Sequence, residues 1–212
     1  MDIAIIGCTH GMHGAIDIPD ADVLIHTGDV SMHSTENDVL KFGAWFGKQP
    51  HEHKLCIAGN HDRFMSRRNL PDNVTYLQDS KTEIDGMVFY GSPWTPMFFD
   101  WYWMKERGED IAERWRLMPD ETDVLITHGP AHGCLDRTIE GVHAGCERLS
   151  SELERVMPHL HCFSHIHEAA GVCDLTSVAD MMKPFNQPLI SVNASIVTRG
   201  MKPINKPVLI SV

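Results

Sequence analysis

The chain is organised around residues 54–62, which have the sequence KLCIAGNHD. Its apolar run, residues 55–58, ends at a glycine that is followed by Asn60, His61 and Asp62. An apolar run stopped by a glycine predicts a buried strand that ends in a tight loop. Open α/β sheets bind their ligands just beyond the carboxyl ends of their strands. The stretch therefore predicts a site where an amide oxygen and an imidazole meet a ligand.

The same arrangement, an apolar run followed by polar residues, occurs at four further places in the chain. One strand end with a histidine says little, but five that carry Asp, Asn and His predict one shared site. The four runs and the residues after them are 3–7 before Cys8, Thr9 and His10; 23–25 before His26, Thr27, Gly28 and Asp29; 124–126 before Thr127, His128 and Gly129; and 160–163 before Ser164, His165, Ile166 and His167.

The composition is that of one ordinary globular domain, which we expect to span residues 1–212. A net charge of −11 argues against stable binding to nucleic acid or to an anionic membrane. The chain shows no basic leader and no apolar run near the roughly 18 residues of a spanning helix. We therefore expect a cytoplasmic protein without a membrane partner, and its oligomeric state stays open. The six cysteines have no metal-binding spacing, and Cys56 and Cys162 are expected to be small buried residues.

Strands and helices alternate early in the chain, whereas hairpins follow later. This order predicts a mixed sheet, or two stacked sheets, flanked by helices. Asp85 and Gly86 form a strong signal for a two-residue hairpin turn. The aromatic segment, residues 91–103 (GSPWTPMFFDWYW), is expected to bury most of its rings, with a pocket wall as the alternative. The predicted strands are 2–7, 22–27, 54–58, 74–77, 81–84, 87–90, 123–127, 160–164, about 171–173, 188–192 and 207–211, and the predicted helices are 35–47, 106–117 and 147–156.

The strand-end residues have the composition of a site for two metal ions. Two divalent cations need about eight ligands if one carboxylate bridges them, and Asp29 is the strand-end carboxylate that could bridge. Imidazoles mixed with oxygen donors suit Mn²⁺, Fe or Zn²⁺ better than Mg²⁺ or Ca²⁺. The candidate residues are Cys8, His10, Asp29, Asn60, His61, His128, His165 and His167.

These motifs resemble those of the calcineurin-like metallophosphoesterase superfamily, whose pattern is D-x-H, G-D, G-N-H-D/E, a lone H, and G-H-x-H. The chain shows all five in order, with Cys8 in the position of the first Asp and Ser164 in that of the last Gly. Four further stretches resemble the MPPED/239FB-type phosphodiesterases. They are residues 91–101, residues 107–133 (RGEDIAERWRLMPDETDVLITHGPAHG), HIHEAAG at 165–171 and NAS at 193–195.

The resemblance implies an α/β four-layer sandwich of two mixed β-sheets flanked by helices. It also implies two divalent metal ions, Mn²⁺ first with Fe or Zn²⁺ as alternatives, bridged by Asp29. His61 would be the catalytic acid or a phosphate contact, and Asn60 would contact both metal and substrate. His13 lies in the same loop as His10 and is either a further substrate contact or a histidine simply exposed at the surface. One ion would take Cys8, His10, Asp29 and His167, and the other Asp29, Asn60, His128 and His165.

The implied activity is metal-dependent hydrolysis of small phosphodiesters, including cyclic nucleotides, by in-line attack of a metal-bridging hydroxide. The alternative is a degenerate, weakly active or inactive metal-binding scaffold, since Cys8 replaces the usual Asp. A zinc hydrolase of the metallo-β-lactamase type would need H-x-H-x-D-H, and the chain has Glu168 and Ala169 after His167. The second acid that orients the catalytic histidine in many relatives is absent here, and Asp62 is a candidate replacement.

The sequence around each of the remaining histidines indicates whether it lies in the core or near a pocket. His26 lies inside a predicted strand and is expected to be a core histidine with its hydrogen bonds satisfied. His33, His132 and His143 lie in predicted loops and are candidate pocket residues only.

Overall fold

Thirteen β-strands and three α-helices form the regular structure of residues 1–174 and 189–212, which this computed structural model describes. The strands are β1 Asp2–Ile6, β2 Val23–His26, β3 His53–Cys56, β4 Thr75–Tyr76, β5 Ser80–Ile84, β6 Met87–Ser92, β7 Thr95–Pro96, β8 Met104–Lys105, β9 Val124–Thr127, β10 Leu160–Phe163, β11 Gly171–Asp174, β12 Ile190–Asn193 and β13 Val208–Ser211. The helices are α1 Glu36–Phe46, α2 Glu109–Trp115 and α3 Glu147–Val156, with 3₁₀ turns at His13–Ala15, Arg67–Asn69 and His167–Ala169.

Most of these strands belong to two mixed sheets. The first sheet has the order β13-β1-β2-β3-β4, in which β13 alone is antiparallel to its neighbour. The second has the order β11-β12-β10-β9-β6-β5, in which the edge strands β11 and β5 are antiparallel to theirs. The remaining neighbours in each sheet pair in parallel, so their carboxyl ends collect at one edge of that sheet. A short pair, β7 with β8, stands apart.

The side chains of the strands alternate between two faces, as extended backbone requires. Ile3 and Ile5 of β1 belong to the core between the two sheets, whose partners from the second sheet include Phe89 and Val124. Ala4 and Ile6 point the other way and pack with α1. On the far side of the second sheet, Tyr90 and Leu125 pack with α2 and α3. The layers therefore run helix, sheet, sheet, helices, and the predicted four-layer fold is confirmed.

The helix bounds follow from local chemistry. Thr35 caps α1 by accepting a hydrogen bond from the Asp38 amide at 3.2 Å, and Gly47 ends the helix. α3 has the predicted bounds. α2 is shorter than the predicted 106–117, because Gly108 has φ 91° and ψ −127°, which is not helical backbone. None of the helices in the described residues is long and apolar enough to cross a membrane.

Strand bounds differ from the prediction mainly at their ends. β3 stops at Cys56, and Ile57 and Ala58 continue, still buried, into the loop. The hairpin turn between β5 and β6 is confirmed, with Asp85 at φ 50° and Gly86 at φ 81°. Pro188, the first residue of the predicted strand 188–192, lies outside the described residues, and β12 begins at Ile190.

Candidate metal centre

The carboxyl ends of parallel strands from both sheets deliver the candidate ligands to one place. The first sheet contributes the residues after β1, β2 and β3, and the second those after β9 and β10. The centre therefore lies where the edges of the two sheets meet. The residues brought together are Cys8, His10, Asp29, Asn60, His128, His165 and His167.

One cluster of donor atoms contains Cys8, His10, Asp29 and His167, and one atom from each lies within 4.8 Å of all the others. His10 Nε2 is 3.6 Å from Asp29 Oδ2 and 3.3 Å from His167 Nε2. Cys8 Sγ is 4.0 Å from Asp29 Oδ2. Two imidazole nitrogens, a carboxylate oxygen and a sulfur thus converge on one small volume, as ligands of a metal do.

A second cluster contains Asp29, His128 and His165, again with one donor atom of each within 4.8 Å of the others. His128 Nε2 is 3.3 Å from Asp29 Oδ1 and 3.0 Å from Asn60 Oδ1. The two carboxylate oxygens of Asp29 therefore face different clusters. The donor set fits two cations that share Asp29.

The protonation states suit metal binding. Burial lowers the pKa of His10 to about 4 and that of His165 to about 3, which favours the neutral imidazole that ligates metals. Burial acts to raise the pKa of Asp29, yet His128 and His10 hold it well below its usual range. Asp29 also accepts a hydrogen bond from the His61 amide at 2.9 Å. Asp29 therefore stays a carboxylate, and it raises the pKa of His128 against the effect of burial, so a cation bound there would take the place of a proton on His128.

The backbone at the centre is strained. Cys8, His10, Asp29 and His165 have φ values of 45°, 43°, 58° and 72°, a region that residues other than glycine seldom adopt. Strain of this kind persists where the surrounding structure forces it and is concentrated at functional sites.

Asp62 organises the loops rather than the histidine beside it. Its buried carboxylate accepts hydrogen bonds from the amides of Gly59, Val30 and Ser31 at 2.8, 3.1 and 3.0 Å. The nearest hydrogen-bond partner of the His61 ring is instead the carbonyl of Met32, 3.4 Å from Nδ1. The expectation that Asp62 orients His61 is therefore wrong, because its oxygens are occupied by backbone amides.

Two positioning residues complete the centre. His26 is a satisfied core histidine, as expected, and it also braces the centre: Nδ1 accepts from the Gly28 amide at 3.2 Å, and Nε2 is 3.0 Å from Thr9 Oγ1. Asn193 was missed, although it opens the NAS stretch. Its buried amide donates to the Ile166 carbonyl at 2.8 Å and so holds the loop between His165 and His167.

Ser164 occupies the position where the calcineurin-like motif has glycine. Its side chain fits there because the adjacent residue Gly7 has no side chain. A Cβ added at Gly7 would lie 2.7 Å from Ser164 Oγ. The Ser164 hydroxyl donates to the Thr27 carbonyl at 3.3 Å. This departure from the pattern is thus accommodated by packing between strands and leaves the donor atoms in place.

A cleft of about 240 Å³ opens onto the two clusters. His61 lines this cleft and belongs to neither cluster, and its ring centroid is 4.3 Å from that of Trp101. His13 does not line the cleft and is not exposed at the surface either, so both expectations for it are wrong. It is buried against α1, with ring centroids 4.8 Å from Trp45 and 5.6 Å from Phe42.

The aromatic segment 91–103 forms one wall of the cleft. We expected most of its six rings to be buried, and that expectation is wrong, because four of them are exposed: Phe98, Phe99, Trp101 and Tyr102. The segment is fixed to the 54–62 stretch by hydrogen bonds from the Trp103 indole to the Asp62 carbonyl and from the Tyr102 amide to the Asn60 carbonyl. Its backbone is therefore anchored while its rings remain open to a ligand.

Comparison with known proteins agrees with this geometry. Residues 1–169 match the family described as calcineurin-like phosphoesterase. Metallophosphoesterase domain-containing protein 1 of Homo sapiens is 36% identical over 232 aligned residues, covering 95% of this chain and 68% of that protein. A UPF0046 protein of Caenorhabditis elegans is 36% identical over 192 residues, covering 81% of this chain and 65% of that protein.

Solved structures show the same fold at low sequence identity. TT1561 of Thermus thermophilus has a TM-score of 0.56 at 10% identity, covering 98% of this chain and 97% of that one. Another crystal structure has a TM-score of 0.62 at 14% identity, covering 91% and 89%.

A two-sheet sandwich with a carboxylate shared between imidazole clusters at its strand ends defines the class of metal-dependent phosphoester hydrolases. This chain belongs to the calcineurin-like phosphoesterase family, and the similarity to metallophosphoesterase domain-containing protein 1 confirms the predicted branch. Members of the family typically use two divalent metal ions, and the two clusters that share Asp29 could hold them.

Proposed function

We propose that this protein is a phosphodiesterase that hydrolyses small phosphodiesters, among them cyclic nucleotides. The observation that carries the proposal is Asp29, whose two oxygens face two clusters of donors at the floor of an aromatic-walled cleft. We also propose that residues 1–212 make one domain, and that the protein works in the cytoplasm. All six cysteines are unpaired, as expected in a reducing compartment.

The proposed ligands divide between two ions. Two divalent cations, when bound, offset the charge of the phosphoryl oxygens and supply an activated water at neutral pH. The mixture of imidazole, carboxylate and amide donors supports Mn²⁺, with Fe or Zn²⁺ as alternatives. One ion would be held by Cys8, His10, Asp29 and His167, and the other by Asp29, Asn60, His128 and His165.

His61 is the proposed general acid. Its imidazole faces the cleft while its backbone amide is tied to Asp29. The Trp101 ring on one side and the His10 ring, 4.9 Å away edge-on, restrict its orientation. An imidazole placed in this way can protonate the oxygen of the departing alcohol. Asn60, which also lines the cleft, is the proposed neighbour of the substrate phosphate.

The cleft suits a diester better than a monoester. A monoester dianion would gain from a lysine or arginine, and neither type is among the described residues that line the cleft. The overall charge of −11 repels a dianion more than a monoanion. The exposed rings of Phe98, Phe99 and Trp101 offer apolar surface to the second ester group, which a monoester lacks.

The test compares matched aryl phosphates in protein loaded with Mn²⁺. We expect turnover of bis(4-nitrophenyl) phosphate that a chelator abolishes, and a lower kcat/KM for 4-nitrophenyl phosphate. A higher kcat/KM for the monoester would contradict the assignment as a diesterase, although the protein would still be a phosphoesterase.

The second candidate is a metal-binding scaffold with little or no activity. It is favoured by Cys8, a buried thiol whose pKa is raised by burial and by Asp29, in a position where the resembled pattern has a carboxylate. Metal-loaded protein that turns over no diester and no monoester would support this candidate.

A further inference from the structure

A third group of metal-ligating side chains lies outside the candidate metal centre, in the loop between β9 and α3. His132, Asp136 and His143 each place one donor atom within 4.8 Å of the other two. We propose that these three residues form a separate site for one transition-metal cation of the Zn²⁺ type. The site shares none of its residues with the clusters around Asp29, so it does not depend on the proposed function.

The carboxylate of this site is buried and held in place. Asp136 is 1% exposed, and its Oδ2 accepts hydrogen bonds from the amides of Gly133 at 3.0 Å and Gly145 at 3.2 Å. The other oxygen, Oδ1, is left to face His143 Nδ1 at 2.7 Å. Metal-binding carboxylates are commonly oriented by hydrogen bonds to the oxygen that does not ligate. The loop thus presents one fixed anionic oxygen.

The two imidazoles complete the donor set from the solvent side. The His132 ring lies 5.3 Å from the His143 ring, centroid to centroid. His143 is partly exposed, and its Nε2 is 3.4 Å from Arg137 on the side away from Asp136. Nδ1 of His143 is therefore the atom available to the ion. A neutral imidazole that ligates through Nδ1 carries its proton on Nε2, so on cation binding the proton between Nδ1 and Oδ1 is exchanged through solvent to Nε2.

The chemistry of the donors selects the cation. Two imidazoles and one carboxylate suit Zn²⁺, Ni²⁺ or Cu²⁺ and offer too few oxygens for Ca²⁺ or Mg²⁺. Tetrahedral donors at about 2.0–2.2 Å from one ion lie roughly 3.3–3.6 Å apart, so donor atoms within 4.8 Å of one another reach that geometry by side-chain movements of up to about 1.5 Å. The partly exposed face leaves water for the fourth position.

The site also reaches the candidate metal centre indirectly. The amide of Ile139, within the same loop, donates to Glu168 Oε1 at 2.9 Å, and Glu168 follows His167 in the chain. A cation that ties the loop together would therefore also steady the segment that carries His167.

The experiment counts zinc bound per chain after equilibrium dialysis against Zn²⁺. His143→Asn keeps an amide N–H near the position of Nδ1 and so preserves the hydrogen bond to Asp136, while it removes the imidazole. His132→Ala removes the other imidazole, and His53→Ala, at the start of β3, is the matched histidine control. We expect both loop variants to bind one zinc fewer than the wild type and the control.

The same comparison is made in an Asp29→Ala background, so that failure of the candidate metal centre and failure of this site remain distinguishable. There too, each loop variant should lose one zinc. If His143→Asn and His132→Ala bind as much zinc as the wild type, the proposal is overturned. A lower melting temperature without metal but an unchanged zinc count would likewise overturn it, because the loop contacts would then be purely structural.

Discussion

Cys8 is the residue at which the candidate metal centre departs furthest from the pattern it resembles. Its sulfur lies among the donors but offers a softer ligand than a carboxylate. Its φ of 45° is one that Asp tolerates better than Cys, so Asp should fit the existing backbone. Cys8→Asp is expected to bind Mn²⁺ more tightly, by about tenfold, and to raise kcat/KM. Manganese titration of both proteins measures this.

Cys8→Ala separates two roles for the sulfur. If the site functions with His10, Asp29 and His167 alone, this variant should keep its metal content and its activity. Loss of a metal from zinc-loaded Cys8→Ala would instead identify a ligating thiolate, and the expected gain from Cys8→Asp would lose its basis.

Replacing His61 should lower the catalytic rate and leave metal binding unchanged. Because its ring lines the cleft but joins neither donor cluster, His61→Ala should retain full metal content. Its kcat should fall by about 10²–10⁴-fold if the imidazole is the general acid. Metal analysis and kinetics on the same sample check both statements, and loss of metal would make His61 a ligand.

At the scale of elements, Gly59 sets how closely β3 approaches the centre. A Cβ at this position would lie 2.3 Å from Asp29 Oδ1 and 2.6 Å from His128 Cε1. Gly59→Ala should therefore displace both ligands, weaken metal binding and lower kcat/KM by roughly 100-fold. Gly14→Ala is the control, since a Cβ there meets nothing within 4 Å. Equal metal affinity in the two variants would contradict this account of the close approach.

The elements most visible in the sequence were those with strong local signals. The sequence predicts the strands that precede the polar strand ends. It also predicts the turn at Asp85 and Gly86 and the bounds of α3. These signals are local, because burial pattern and turn chemistry act within a few residues.

What the sequence did not predict depends on contacts between distant segments. The open rings of the 91–103 segment follow from how its backbone docks on Asn60 and Asp62. The position of His13 against α1, and the meeting of His132 with His143, likewise require the folded loops. Packing decides these arrangements, and spacing along the chain carries little information about them.

At the scale of the whole molecule, buried histidines should make stability depend on pH. Burial lowers the pKa values of His10, His161 and His165 to about 4, 3 and 3, and that of His26 well below its ordinary value. Unfolded histidines titrate near a pKa of about 6.5, so between about pH 6.5 and 4 the unfolded chain binds more protons than the folded chain. This stabilisation is present above about pH 6.5 and is lost as the pH falls.

Asp62 acts in the opposite direction, because burial and Asp29 raise its pKa to about 7. One carboxyl group is outweighed by several histidines, each of which contributes up to about 1.4 kcal/mol per pH unit. The free energy of unfolding of chelator-treated protein should therefore fall steadily from about pH 6.5 to about pH 4. Denaturant titrations across this range test it, and a constant or rising stability toward the acid end would be inconsistent with buried neutral histidines.

Asp29 is proposed to join two metal positions in one centre, and the number of ions bound by its variants shows whether it does. The measurement counts the Mn²⁺ ions that remain bound per chain after dialysis in the wild type, Asn60→Ala and Asp29→Ala. We expect two ions in the wild type, loss of one in Asn60→Ala, and loss of both in Asp29→Ala, because both clusters share its carboxylate. Two tightly bound ions in Asp29→Ala would contradict it.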